Sequence, residues 1–261
     1  MLNATDVTVT LGRRRVLDSV NFRAAPGELT AIVGPNGSGK TTLLRAMSGD
    51  LGCQGRITLA GEELSGIPAW RLALRRAVLA QFTPLAFPFT VAEVVGLGQI
   101  RKGPGSAADL TPRALARVGL CGYASRPYQE LSGGEQQRVQ LARILCQVWE
   151  PVEGSEARWL FLDEPVSSLD IAHQLQVMQI ARDFADAGGG VVAIMHDLNL
   201  TAMFADSVAL LAEGRLLEQA SPETLLRDDL LSRAYGCSLR VSTPPNSGPY
   251  VLPHTARLGS G

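Results

Sequence analysis

The stretch IVGPNGSGKTTLL at residues 32–44 constrains this chain more than any other. A run of β-branched apolar residues asks for a buried strand, three glycines allow the backbone to curl, and the pattern from Lys40 to Met47 is helical. Gly34-Pro35-Asn36-Gly37-Ser38-Gly39-Lys40-Thr41 fits G-x-x-x-x-G-K-[ST] with a strand before it and a helix after it, the context that pattern requires. Such a loop turns successive N–H groups inward at phosphate oxygens, and the helix N-terminus adds its positive end. Lys40 then reaches the β- and γ-phosphates, Thr41 ligates Mg²⁺, and the cradle runs from Gly34 to Thr42. A glycine-rich turn with a surface lysine is the plain alternative; the flanking strand and helix weigh against it.

The 261 residues carry 24 basic against 25 acidic side chains, so no global field draws the molecule to nucleic acid or anionic lipid. Only Lys40 and Lys102 are lysines, which singles out the one in the loop. Cys53, Cys121, Cys146 and Cys237 lack CxxC spacing, which argues against a disulfide framework or a zinc site and fits a reducing cytoplasm. No apolar run approaches the roughly 20 residues a membrane helix needs, so membrane association is expected to go through a partner.

Short strands are expected at 6–11 and 19–24, then at 29–34, 56–61 and 74–81. Two prolines in FTPLAFPFT (82–90) interrupt regular structure, and an inserted, mostly helical subdomain is expected from there to about 150, with EPVEGSEA (150–157) as a polar loop. RWLFLDEP then reads as a buried strand whose neighbours are expected at 190–197 and 207–214, with a helix between. Buried strands alternating with helices indicate a mainly parallel sheet. The Pro/Gly/Ser-rich end is expected to be extended or partly disordered.

WLFLDEP ends its apolar run in Asp163, a second carboxylate to hold the metal, and Glu164, placed to orient or deprotonate the attacking water. Alone, such a pair is often a solvated strand cap. Together with LSGGEQQRVQLAR (131–143), however, the sequence resembles the ATP-binding cassette family. The resemblance covers about residues 2–235. It implies an α/β P-loop NTPase core with an N-terminal antiparallel β-subdomain and a helical subdomain inserted at about 85–150, residues 1–235 forming the ATPase domain and 236–261 a tail. In that family the backbone of Ser132, Gly133 and Gly134 binds the γ-phosphate of ATP held on the opposite subunit, so a head-to-tail homodimer is implied. Gln81 matches the residue that contacts Mg²⁺ and the attacking water, Ser168-Leu169-Asp170 the loop that crosses the dimer interface, and His196 the histidine that contacts the γ-phosphate. Leu11 stands where the family commonly stacks adenine on an aromatic ring. The base is then expected to rest on Leu11 and Val16, with the arginines at 13–15 available to stack over it.

With one cassette and no membrane span, the chain resembles a detached transporter ATPase working with an integral-membrane permease dimer on the cytoplasmic face of the bacterial inner membrane. FTVAEVVGLGQ (89–99) resembles ATPases of iron-siderophore, cobalamin and haem importers. EPVEGSEA and the tail SGPYVLPH resemble the haemin importers, which implies a periplasmic haem-binding protein as an indirect partner. Leu85 and Phe87 are expected at the permease contact. The rival reading, a soluble cassette ATPase acting on nucleic acid, calls for tandem cassettes, coiled-coil inserts or basic linkers, which are absent here.

Overall fold

The structure is a computed structural model that describes residues 1–81, 87–99 and 107–256. In chain order its elements are β1 (Leu2–Leu11), β2 (Arg14–Ala24), β3 (Leu29–Val33), α1 (Lys40–Met47), β4 (Gln54–Leu59), β5 (Glu62–Glu63), α2 (Ala69–Arg75) and β6 (Arg76–Leu79). There follow α3 (Val91–Gly96), α4 (Ala107–Arg117), α5 (Gly133–Gln147), β7 (Val152–Glu153), β8 (Glu156–Ala157), β9 (Trp159–Asp163), α6 (Ile171–Asp186) and β10 (Gly190–Ile194). The last are α7 (Leu198–Phe204), β11 (Ser207–Ala212), β12 (Arg215–Ala220), α8 (Pro222–Leu225) and α9 (Asp228–Tyr235).

The central sheet has the order β12-β11-β3-β10-β9-β6, parallel except for the antiparallel edge strand β12. Every residue of β3, β9 and β10 is buried, and the period of two deals their side chains alternately into two cores. Leu29, Ala31, Leu160, Leu162, Val191 and Ala193 face one core, which continues into Val94, Val95, Leu115, Val139 and Ile144 of α3, α4 and α5. Ile32, Trp159, Phe161, Val192 and Ile194 face the other, with Leu43, Leu44 and Met47 of α1 and Leu2, Val9, Leu17 and Val20 of an antiparallel sheet ordered β2-β1-β4-β5. The sheet is thus sandwiched on both faces, as a parallel sheet must be.

Several expectations need correction. The first two strands are longer than the alternation suggests because bulges interrupt it: Asp6 and Ser19 take positive φ, and their N–H groups are met by Asn21 Oδ1 and Thr8 Oγ1, each at 3.0 Å, so pairing resumes beyond each break. Residues 74 and 75 close α2, started behind Pro68, rather than open β6. Residues 150–157 hold the two-strand hairpin β7-β8, turned at Gly154 with φ 63°. β9 does neighbour β10, but its other neighbour is β6; β11 pairs with β3 instead. Identical-looking apolar strands carry no label for their partners. The tail from residue 237 has little regular structure but returns to the domain: Val241 N–H donates to Asp228 Oδ1 at 2.7 Å, and a single 3-10 turn at Pro253–Thr255 lies against α7. Of the two residues expected at the permease contact, Leu85 lies outside the described residues, while Phe87 is 68% exposed.

Candidate active site

Four neighbouring parallel strands end at one edge of the sheet, and each delivers part of the site. β3 leads into Gly34–Thr42, β10 ends ahead of His196, β9 ends in Asp163 and Glu164, and β6 runs out to Gln81. That is the edge where open α/β sheets bind ligands.

The loop closes tightly on the strand beside it. A Cβ on Gly34 would stand 1.9 Å from the Leu211 carbonyl oxygen, and one on Gly39 2.8 Å from Leu17 Cδ2 and 3.1 Å from Val16 O, so only glycine fits either place. Lys40 is buried and folds back over the loop, its Nζ donating to Gly34 O and Pro35 O at 2.9 Å each. Burial holds its ammonium below the ordinary lysine range, against the pull of Glu164 and Asp163. Gly39 offers no side chain to cap α1, so the first N–H groups of that helix have no side-chain acceptor. Ser38 Oγ is buried without a partner among the described residues. An anion placed in this cradle would meet backbone donors, a free hydroxyl and an ammonium, which is what a polyphosphate needs.

Thr41 Oγ1 donates to Asp163 Oδ1 at 3.2 Å. Burial pushes the Asp163 carboxyl above its usual range, and the neighbouring Glu164 adds to this, while the Thr41 hydrogen bond, Lys40 and His196 act in the opposite direction. The hydroxyl and carboxylate are hard oxygen donors suited to magnesium. Among the described residues no cluster of three His, Cys, Asp or Glu could enclose a metal, so an ion here would take its remaining oxygens from a phosphate and water, the manner magnesium favours.

Beyond its near neighbour Ser167, whose Oγ donates to its carbonyl at 3.2 Å, Glu164 receives three side chains from elsewhere in the chain. Gln81 Nε2 donates to Oε2 at 2.9 Å, His196 Nε2 lies 2.6 Å from Oε1, and Gln137 Nε2 donates to its backbone carbonyl at 3.0 Å. The structure therefore brings together Gln81, Glu164 and His196, which lie far apart in sequence. Gln137 was missed; it stands five residues after Ser132, a spacing that puts it on α5 but does not tell which face it takes.

Ser132 caps α5 through a capping box: its Oγ accepts from Glu135 N–H at 3.3 Å, and the Glu135 carboxylate accepts from Ser132 N–H and Oγ at 2.8 and 2.7 Å. Ser132 and Gly133 are exposed. Asp170 caps α6, accepting from His173 N–H and meeting its ring Nδ1, which keeps the Asp170 carboxyl below the usual range. Leu11 is 45% exposed at the tip of the β1-β2 hairpin, and Val16 reaches the loop through its backbone.

The ABC transporter profile matches residues 17–167, from strand β2 to just past Glu164. The chain belongs to the ABC transporter family. Among curated ABC relatives, the hemin import ATP-binding protein HmuV of Jannaschia sp. (strain CCS1) is 59% identical over 262 residues, covering 100% of this chain and 97% of the relative. The protein of the same description from Rhizobium meliloti (strain 1021) is 51% identical, covering 99% and 100%. Among solved structures, an ATP-bound bacterial Atm1-family ABC exporter superposes with a TM-score of 0.77 at 27% identity, over 89% of this chain and 41% of that one. A dimeric ATP-binding cassette in a post-hydrolysis state with ADP and Pi gives 0.72 at 24% identity, over 85% and 99%, and attests the fold. Among the described residues no helix is long and apolar enough to cross a membrane.

Asp163→Asn should leave the ligand-free protein more thermally stable at neutral pH. A carboxyl whose folded-state pKa is raised favours folding most when protonated; that advantage is full below the ordinary aspartate value and is lost as pH rises through the raised value. The amide keeps an acceptor for Thr41 and removes the buried charge. The gain in melting temperature should shrink as pH falls toward about 4. An unchanged or lower melting temperature at pH 7 would contradict the burial cost.

Proposed function

We propose that this chain is the ATP-hydrolysing subunit of an importer that carries haem across the bacterial inner membrane, docked on the cytoplasmic face to an integral-membrane permease dimer. One observation carries the catalytic part: Gln81 and His196 converge on the Glu164 carboxylate beside the Thr41–Asp163 pair. The cargo is inferred from relatives described as hemin import ATP-binding proteins at 49–59% identity over nearly the whole chain.

In this reading Lys40 exchanges the carbonyls of Gly34 and Pro35 for β- and γ-phosphate oxygens, and Ser38, Gly39, Thr41 and Thr42 complete the cradle. Asn36 and Gly37 form its outer lip. Leu11 and Val16 lie under the base. Thr41, Asp163 and Gln81 would hold magnesium, which supplies charge neutralisation on the phosphates when bound. Glu164 accepts the proton of the attacking water, and His196 fixes both that carboxylate and the γ-phosphate. Ser132, Gly133 and Gly134 close on the ATP of a second copy, with Asp170 at the crossing between the two. The exposure of Ser132 and Gly133 supports this, because donors that serve a neighbour must stay open to it. Hydrolysis removes the shared ligand and lets the copies part, which is the motion passed to the permease.

The test is reconstitution with the permease in proteoliposomes, with ATP inside the site-bearing compartment. ATP-dependent haem uptake, with hydrolysis stimulated by a periplasmic haem-binding protein, is the expected result. Uptake of cobalamin or a ferric siderophore without haem would overturn the cargo and leave the ATPase reading standing.

A further inference from the structure

Glu164 lies in the left-handed region at φ 52°, a conformation that a side-chain-bearing residue keeps only when its surroundings hold it there. The groups that grip its backbone therefore matter as much as those on its carboxylate. Ser167, three residues on, donates from Oγ to the Glu164 carbonyl at 3.2 Å. Gln137 Nε2 donates to the same oxygen at 3.0 Å from α5. Of these two, only the second ties the turn to another element.

Gln137 makes that bond at a cost, since its Oε1 is shut off from solvent with no partner among the described residues. An apolar side chain would fill the space without the penalty, so the donor itself is what the position requires. The start of α5 also rests on the segment that follows Glu164: a Cβ on Gly134 would stand 3.1 Å from Leu169 Cδ2 and 3.2 Å from Ser168 O. Residues 132–137 and 164–169 thus form one packed unit, with Ser132 at one end and the Glu164 carboxylate at the other.

We infer that Gln137 is a positioning residue for ATP hydrolysis: its amide holds the left-handed turn that aims the Glu164 carboxylate, and makes that aim follow the seating of Ser132–Gly134 on a second copy's nucleotide. The inference rests on the function proposed above. Gln137 touches no reacting atom, so its removal should slow turnover and spare nucleotide binding.

The experiment uses the full chain assembled with its permease. Gln137→Met removes the donor at similar length, and the isosteric Gln137→Glu sets an acceptor against the carbonyl; the pair guards against one variant folding poorly. Both should lower kcat about tenfold to a hundredfold, as expected when a reacting group is misplaced by a fraction of an ångström to an ångström. KM for ATP in that assembly, and ATP-driven dimerisation of the full chain without the permease, read by light scattering, should stay within about twofold. A kcat within twofold of wild type in both variants would overturn the inference, as would loss of dimerisation in step with kcat, which would make Gln137 part of the surface that clasps nucleotide. Glu164→Gln measured alongside separates the two claims. If it turns over at the wild-type rate, the catalytic reading fails; if it is inactive while Gln137→Met is fully active, only this inference fails.

Discussion

Glu164→Gln is expected to lower ATP turnover by about a hundredfold to ten-thousandfold, the range a positioned general base contributes, while ATP-driven pairing of two copies persists. The amide has the shape of the carboxylate and can still accept from Gln81 Nε2, the bond that now spans 2.9 Å. It cannot take a proton from water. The Ser132–Gly134 backbone and the Gly34–Thr42 cradle are untouched by the change, so ATP remains bound and the paired state accumulates instead of decaying. Turnover measured with the permease present, together with size-exclusion chromatography in ATP, checks both halves. Wild-type hydrolysis would remove Glu164 from the chemistry, and failure to pair in ATP would mean that the carboxylate helps to shape the interface as well.

Lys40→Ala should act one step earlier, on binding. The ammonium is desolvated and donates two hydrogen bonds, to Gly34 O and Pro35 O. Phosphate oxygens carry full charge and offer it better partners than those carbonyls. Each charge-assisted bond is worth about 1.5–3 kcal/mol, so losing one net bond weakens ATP affinity roughly tenfold to a hundredfold. Titration calorimetry reads this directly. The fold should survive, because the tight approaches at Gly34 and Gly39 do not involve the lysine side chain. An unchanged ATP Kd would refute the phosphate loop as the binding element.

The residues of this site differ in how readable they were. Gly34 to Thr41 could be read because the chemistry is local: the glycines, the lysine and the first helical turn cooperate within eight consecutive positions. Asp163 and Glu164 were legible for a similar reason, since an apolar strand that ends in two acids announces where its charge emerges. The bulges at Asp6 and Ser19 were not legible, because the side chains that rescue their N–H groups come from the paired strand. Gln137 was hidden for a related reason: a glutamine on a half-buried helix face has no pattern until the turn beneath it is known.

By itself, then, the order of residues determined the glycine loop between a strand and a helix, the acidic strand end and the alternation of buried strands with helices, all features that arise within one element or between consecutive ones. Tertiary structure alone decided that β6, β9, β10 and β3 lie side by side and that β11 falls beyond β3 rather than against β9. Strands buried on both faces are almost wholly apolar, and apolar packing is non-directional, so the code for adjacency lies in the summed fit of two cores and not in any single strand. That adjacency is what sets Gln81 and His196 within hydrogen-bonding distance of the Glu164 carboxylate.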